Sequence, residues 1–210
     1  MEGRCYDLEA GDRRQLTGRV TKAPSEMLDR FRRVPKSSSR QMENNMHPDL
    51  KLRRATAVDI PFVMATERGE GYGELVGRWT EDQHAAALAD PRFAYFVACS
   101  GVQPVGFAIL RDWASANQVT LVFRVAVAQP GSGYGKGMMR LVVDAAFLET
   151  DVYRLWIGCL HDHERAQRAY EAVGFRAEGI ARGSWVMNGK RCDELVLAIV
   201  RPDWEAEHAK

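Results

Sequence analysis

The stretch with the plainest chemical capacity is Gln129 to Phe147, where glycines fall at alternate positions: Gly131, Gly133, Gly135 and Gly137. Glycine reaches backbone angles closed to other residues and leaves no Cβ in the way of an approaching group. An apolar run ending at Val127 precedes the loop. Met138, Met139, Val142, Val143, Ala146 and Phe147 follow it at helical spacing. Strand, glycine loop and helix therefore succeed one another. Such a loop presents backbone N–H groups at a helix N-terminus, where the peptide dipoles favour negative charge. Lys136 adds a mobile cation in the first turn. The chemistry implied is the cradling of a phosphate.

The elements that must hold this loop can be read along the chain. With 210 residues there is enough chain for one domain with a sizeable core plus a tail. The net charge of +1 gives no global case for nucleic acid or a membrane surface as partner. No stretch has the apolar length of a membrane span, and the first residues lack a signal-peptide core. Cys5, Cys99, Cys159 and Cys192 have neither metal-site nor disulfide spacing. They read as reduced thiols, which suits a cytoplasmic protein. Residues 1–48 are rich in Arg, Ser and Gln, with helical character only over Ser25 to Val34. They read as a disordered extension ahead of a domain at 49–210.

Within that domain Leu52 to Ala57 reads as a first strand. Asp59 and Pro61 can open a helix running to about Arg68, and Thr80 with Gln83 forms a capping box for a second helix ending at Asp90. Phe93 to Ser100 and Val105 to Leu110 read as a hairpin. Gln118 to Ala128 is nearly continuously apolar, as a central strand is. Tyr153 to Leu160 is a strand, Glu164 to Val173 a helix stopped by Gly174, and Phe175 to Met187 with Cys192 to Val200 a hairpin turned by Asn188-Gly189. The result is a mixed α/β (α+β) fold. Its sheet of about seven strands is mostly antiparallel and flanked by helices, with one parallel crossover through the glycine loop.

The loop is not a nucleotide P-loop, because Gly135-Lys136 is followed by Gly137 and not by a hydroxyl residue. Nor does it follow the first strand, as a dinucleotide fold requires. Two motifs in order give it another identity. Gly133-Tyr134-Gly135 opens a long helix through Lys136-Gly-Met-Met139. His163-Glu-Arg165-Ala166-Gln-Arg-Ala-Tyr170-Glu-Ala-Val-Gly174-Phe175 matches the pattern Asn-x-Arg-Ala-x-x-x-Tyr-x-x-x-Gly-Phe. From about Leu52 to Trp204 the sequence resembles the GNAT superfamily of acyl-CoA N-acyltransferases. The run from Gly189 to Trp204 is similar to the branch acting on protein N-termini and small amines.

The resemblance implies an acetyltransferase that moves an acetyl group from acetyl-CoA directly to a primary amine, either a small molecule or a peptide N-terminus. It implies no metal, and a homodimer is a possible assembly. The pyrophosphate would lie on the N–H groups of Ser132, Gly133, Tyr134, Gly135, Lys136 and Gly137. The sheet would splay at the strand before the loop, and the pantetheine arm would pair with backbone at Val125, Ala126 and Val127. His163 and Arg165 would belong to the same cofactor site. Arg140 and Arg165 could reach phosphates, although solvated helix charges explain them equally. Tyr170 would be the acid that protonates the leaving thiolate: a phenol near pKa 10 can protonate a thiolate of pKa near 8.5.

The departures from the family pattern are also expectations. Pro130 stands at the loop's first position and His163 in place of the motif's Asn. The central strand carries Phe123 and Arg124 and no carboxylate, so the base is open among Glu67, Glu70, Glu74 and Asp193. His84 and His161 read as bland. Tyr72, Trp79, Trp113 and Trp185 lie in acceptor-determining regions, where core packing accounts for them as well. A non-catalytic acyl-CoA sensor of the same fold is the alternative reading.

Overall fold

The structure, a computed structural model of the chain, describes residues 47–72, 76–187 and 189–209. The expected extension as far as residue 46, together with Glu74 and Asn188, lies outside the described residues. Seven strands form one sheet in the order β1-β2-β3-β4-β5-β7-β6. They are β1 (Leu50–Arg54), β2 (Phe93–Ser100), β3 (Gln103–Arg111), β4 (Val119–Val127), β5 (Arg154–Leu160), β6 (Arg176–Met187) and β7 (Lys190–Val200). Every neighbouring pair is antiparallel except β4 and β5. That parallel pair needs a crossover, supplied by α3 (Tyr134–Glu149), the helix after the glycine loop.

Helices cover both faces, so β2, β3 and β4 are apolar almost throughout. On one face α3 buries Met138, Val142, Ala146 and Phe147 against Phe96, Leu110, Leu155 and Leu197. The other face is covered by α1 (Ile60–Glu67) and α2 (Glu81–Ala89). There Val63, Tyr72 and Ala87 pack with Tyr95, Phe107 and Ile109. The capping box expected at Thr80 is present: its hydroxyl accepts from Gln83 N at 3.3 Å, and the Gln83 amide oxygen accepts from Thr80 N at 2.9 Å. Cys99 and Cys159 are buried free thiols, while Cys192 is only partly buried.

Two elements differ from the sequence reading. The first strand ends at Arg54, and Ala57–Asp59 forms a 3-10 turn that leads into α1. Asp59 draws the chain out of the sheet. It accepts from Thr56 N at 2.8 Å and takes a bidentate pair of bonds from Arg53 at 2.8 and 2.6 Å. A terminal helix, α5 (Arg201–His208), was not expected, because Arg201–His208 is polar and buries only Trp204. That one residue suffices to dock it. Its ring stacks on Phe147 with centroids 5.3 Å apart, and Nε1 donates to Asp144 at 2.8 Å. Among the described residues no helix is long and apolar enough to cross a membrane.

Candidate functional site

The β4–β5 seam is where the sheet opens. Only Val119, Thr120 and Leu121 pair with Arg154, Leu155 and Trp156. Just beyond, the β3–β4 register shifts, with Ile109 opposite Arg124 and Leu110 opposite Val122. Phe123 is the extra residue. A bulge of this kind bends its strand and increases the local twist, which carries the rest of β4 away from β5. α4 (Glu164–Glu171) and the β6–β7 hairpin wall the gap. The resulting cleft has a volume of about 610 Å³.

Above the seam, the glycines of the loop have separate reasons. Gly131 and Gly133 take φ of 89° and 85°, the left-handed region that disfavours side chains. Gly137 packs against β1, where a Cβ would stand 2.9 Å from Leu50 Cδ2. A Cβ on Gly135 would meet nothing within 4 Å, so that face of the turn is open to a ligand. Gly133 caps α3 without a side chain, which leaves the first-turn N–H groups facing outward. The loop is braced from far back in the sequence. His47 stacks on Tyr134 with centroids 3.9 Å apart, and its Nε2 donates to Ser132 O at 3.1 Å. The Ser132 N–H and hydroxyl donate back to Gln129 O at 3.2 and 2.6 Å. Lys136 and Arg140 follow on α3, one turn apart.

Along β4 the backbone alternates. Ala128 N donates to Val105 O at 2.8 Å, so Ala126, two residues back, also turns its backbone to β3. Val125 and Val127 turn theirs toward the opened seam. Val127 N donates to the Tyr72 hydroxyl at 3.0 Å. Val125 lines the cleft directly. Of the three residues expected to meet a pantetheine arm, Val125 and Val127 present backbone to the gap, and Tyr72 stands at the upper one.

Tyr170 reaches the same cleft from α4, tilted against Phe175 at 6.2 Å. Burial pushes its phenol well above the ordinary tyrosine value, and the nearby Cys159 and Tyr72 push it the same way. It therefore holds its proton throughout the neutral range. Burial also pushes the Cys159 thiol up to about 12, with Glu194 and Glu171 adding to the shift. A thiol so raised is a poor nucleophile. His163 caps α4 and lines the cleft. Burial, then the charge on Arg165, pushes its imidazole below the usual value, so it is neutral at neutral pH. Arg165 and His163 also line a second hollow of about 500 Å³ with Glu70, Gly71 and Pro130, which borders the glycine loop.

The carboxylates sort differently from the sequence expectation. Glu67 is fully buried. Its Oε1 accepts from Arg68 at 2.9 Å, Trp79 N at 3.1 Å and His84 Nε2 at 3.3 Å, and its Oε2 accepts from Arg124 at 3.2 Å. His84 in turn accepts at Nδ1 from the Tyr95 hydroxyl at 3.2 Å, whose phenol burial raises to about 12. Glu67 is thus the counter-charge that lets Arg124 sit buried on β4, and its lone pairs are committed. Asp193 accepts from Gly183 N at 2.8 Å and staples the β6–β7 bulge. Glu70 lines the second hollow and not the cleft. The carboxylate in the cleft is Glu194, beside the residue singled out from sequence. The signal was the strand alternation: Leu195, Leu197 and Ile199 point into the core, so Glu194 points to the other face. Of the four aromatic residues expected in acceptor-determining regions, Tyr72 and Trp185 line the cleft. Trp79 packs on Phe123, Phe93 and Arg124, and Trp113 on Phe96 and Arg54.

Similarities to known proteins bear on this arrangement. Over 75 residues the chain is 44% identical to the probable N-acetyltransferase YjcK of Bacillus subtilis, a match spanning 34% of this chain and 41% of that protein. Its fold matches a spermidine N-acetyltransferase SpeG mutant from Vibrio cholerae with a TM-score of 0.68, at 16% identity, covering 77% of this chain and 99% of the other. A chimera of that enzyme with hSSAT matches with a TM-score of 0.65 at 18% identity, over 75% of this chain and 98% of the other. At such identities these structures speak for the fold. The model of the acetyltransferase (GNAT) family matches residues 61–175, a span that runs from α1 across the glycine loop to Phe175. By that match and by its seven-stranded sheet, this chain belongs to the acetyltransferase (GNAT) family.

Proposed function

We propose that this protein transfers an acetyl group from acetyl-CoA directly to the nitrogen of a primary amine, either a small molecule or a peptide N-terminus. The observation that carries the reading is the seam itself: β4 leaves β5 after three pairs, directly beneath a glycine loop and beside Tyr170. Acetyl-CoA supplies an activated thioester. The residues here fit it, because outward N–H groups, an open Gly135 and the Val125 amide, with Tyr72 bonded at the Val127 amide beside it, lie along one path.

The loop and the first turn of α3, from Gly133 to Gly137, receive the pyrophosphate, with Ser132 shaping the loop through its bonds to Gln129 O, and Lys136 adds charge at that end. Arg165 and His163 border the same end. The Val125 N–H points into the cleft and offers a hydrogen bond to an oxygen gaining charge there. Tyr170 holds a proton for the departing sulfur. The extension read from the sequence as residues 1–48 is taken to lie outside the catalytic domain, with its boundary moved ahead of His47, which stacks on Tyr134.

Incubation with acetyl-CoA and a panel of amines and peptides, followed by free-thiol release, tests the reading. Turnover with an amine is the expected outcome. Tight acetyl-CoA binding without turnover of any acceptor would favour the sensor reading, and Tyr170→Phe would then change nothing.

A further inference from the structure

The cleft passes through the sheet, and its two sides carry different chemistry. Tyr170 enters from the core side on α4. Glu194 enters from the opposite face on β7, paired in register with Leu160 of β5 and Ala181 of β6. A Cβ on Gly158 would overlap the Glu194 carboxylate, so β5 carries its one glycine where that group lies. Ser184 Oγ donates to Glu194 Oε2 at 3.1 Å and fixes its direction. Among the described residues that line the cleft, Glu194 is the only carboxylate. The other titratable groups there are Tyr72, Arg111, Arg124, Cys159, His163 and Tyr170. Arg124 is met by Glu67 at 3.2 Å and Arg111 by Asp112 at 3.5 Å. Among the described residues, the uncommitted negative charge of the cleft is therefore that of Glu194.

We propose that Glu194 receives the ammonium of the acceptor and takes the proton that frees its lone pair. This names the acceptor as a cationic primary amine, with its adjoining carbons against Trp185 and Met187, and it rests on the acetyl-transfer reading above. One ammonium proton passes to the Glu194 carboxylate and on to solvent. The nitrogen forms a bond to the thioester carbon, the carbon–sulfur bond breaks, and sulfur keeps the electron pair. Tyr170 protonates the sulfur and is reprotonated by the second proton lost from nitrogen. Ammonium and acetyl-CoA thus give amide, CoA thiol and one released proton.

Glu194→Gln keeps the shape and the bond to Ser184 while removing the charge. Calorimetry with acetyl-CoA comes first: equal affinity in both proteins is expected, and a wild type that does not bind it sinks the acetyl-transfer reading itself. Binding of n-pentylamine and of 1-pentanol to the CoA-loaded proteins is then compared by saturation-transfer NMR. Wild type should prefer the amine by about tenfold, and Glu194→Gln should lose that preference. Gly158→Ala, which displaces the carboxylate without deleting it, should lose it too. For an amine that is turned over, kcat/KM of Glu194→Gln should fall about a hundredfold at neutral pH. The gap should narrow as pH rises through about 10.4, the ordinary value of an alkylamine, because a growing share of the amine then arrives neutral. A wild type with no preference for the amine, or a preference that survives Glu194→Gln, overturns the proposal. A deficit that does not narrow at high pH overturns the proton-transfer role.

Discussion

Tyr170 and Glu67 show how position decides what an ionisable side chain can do. The Tyr170 phenol is raised by burial, so its protonated form persists as pH climbs through the ordinary tyrosine range. The wild-type rate should accordingly show no loss to tyrosine ionisation between about pH 8 and pH 10. Tyr170→Phe should lower kcat by about a hundredfold or more while the acetyl-CoA dissociation constant stays the same. Steady-state kinetics beside calorimetry would show this, and an unchanged kcat would remove Tyr170 as the acid. Glu67 works for stability. Replacing it with Ala strands Arg124, which is 7% exposed, without a counter-charge. That should cost about 3–5 kcal/mol in urea unfolding. A loss below about 1 kcal/mol would mean that water reaches the guanidinium.

At the scale of elements, the loop and the first strand carry separable predictions. Gly133 has a φ of 85°, so Gly133→Ala should strain the turn and cost about 1 kcal/mol of stability together with acetyl-CoA affinity. Gly135→Ala adds a methyl that meets no protein atom, so it should weaken acetyl-CoA binding with the melting temperature kept. If both variants behave alike, the open face of the loop is not where the ligand lies. The Arg53–Asp59 pair ties β1 to the turn before α1. The Arg53 guanidinium holds the Asp59 carboxyl down at about 2, below its ordinary value. A depressed carboxyl stabilises above its unfolded value and loses that contribution as pH falls through the folded one. Stability should therefore decline between about pH 4 and pH 2, and Asp59→Asn should flatten that slope. Arg53 is 47% exposed, so the loss from Asp59→Asn at neutral pH should be about 1–2 kcal/mol, below what the shift alone suggests.

At the scale of the whole molecule, the site is assembled from distant parts of the chain. His47 bonds Ser132 across 85 residues of sequence and stacks on Tyr134 beside it. A boundary placed at residue 48 would leave out His47, which braces the glycine loop. A chain begun at residue 47 should bind acetyl-CoA as the full chain does, whereas one begun at Leu50 should bind several-fold more weakly, as read by calorimetry. Equal binding by both would show that the stacking on Tyr134 is dispensable.

Sequence alone determined the loop, the helix bearing Tyr170, the order of the strands and the family, because each rests on local spacing: glycines at alternate positions, 3.6-residue periodicity, capping boxes and a turn signal. What it left open depended on partners far along the chain. Glu67, Asp193 and Glu194 look alike as letters. One neutralises a buried arginine, one staples a bulge, and one lies over a glycine in the cleft. Strand pairing decided among them, because the bulge at Phe123 opens the sheet and the register of β7 against β5 selects which carboxylate faces the opening. Helix α5 escaped for the same reason, since a single tryptophan docking on Phe147 has no periodic signature.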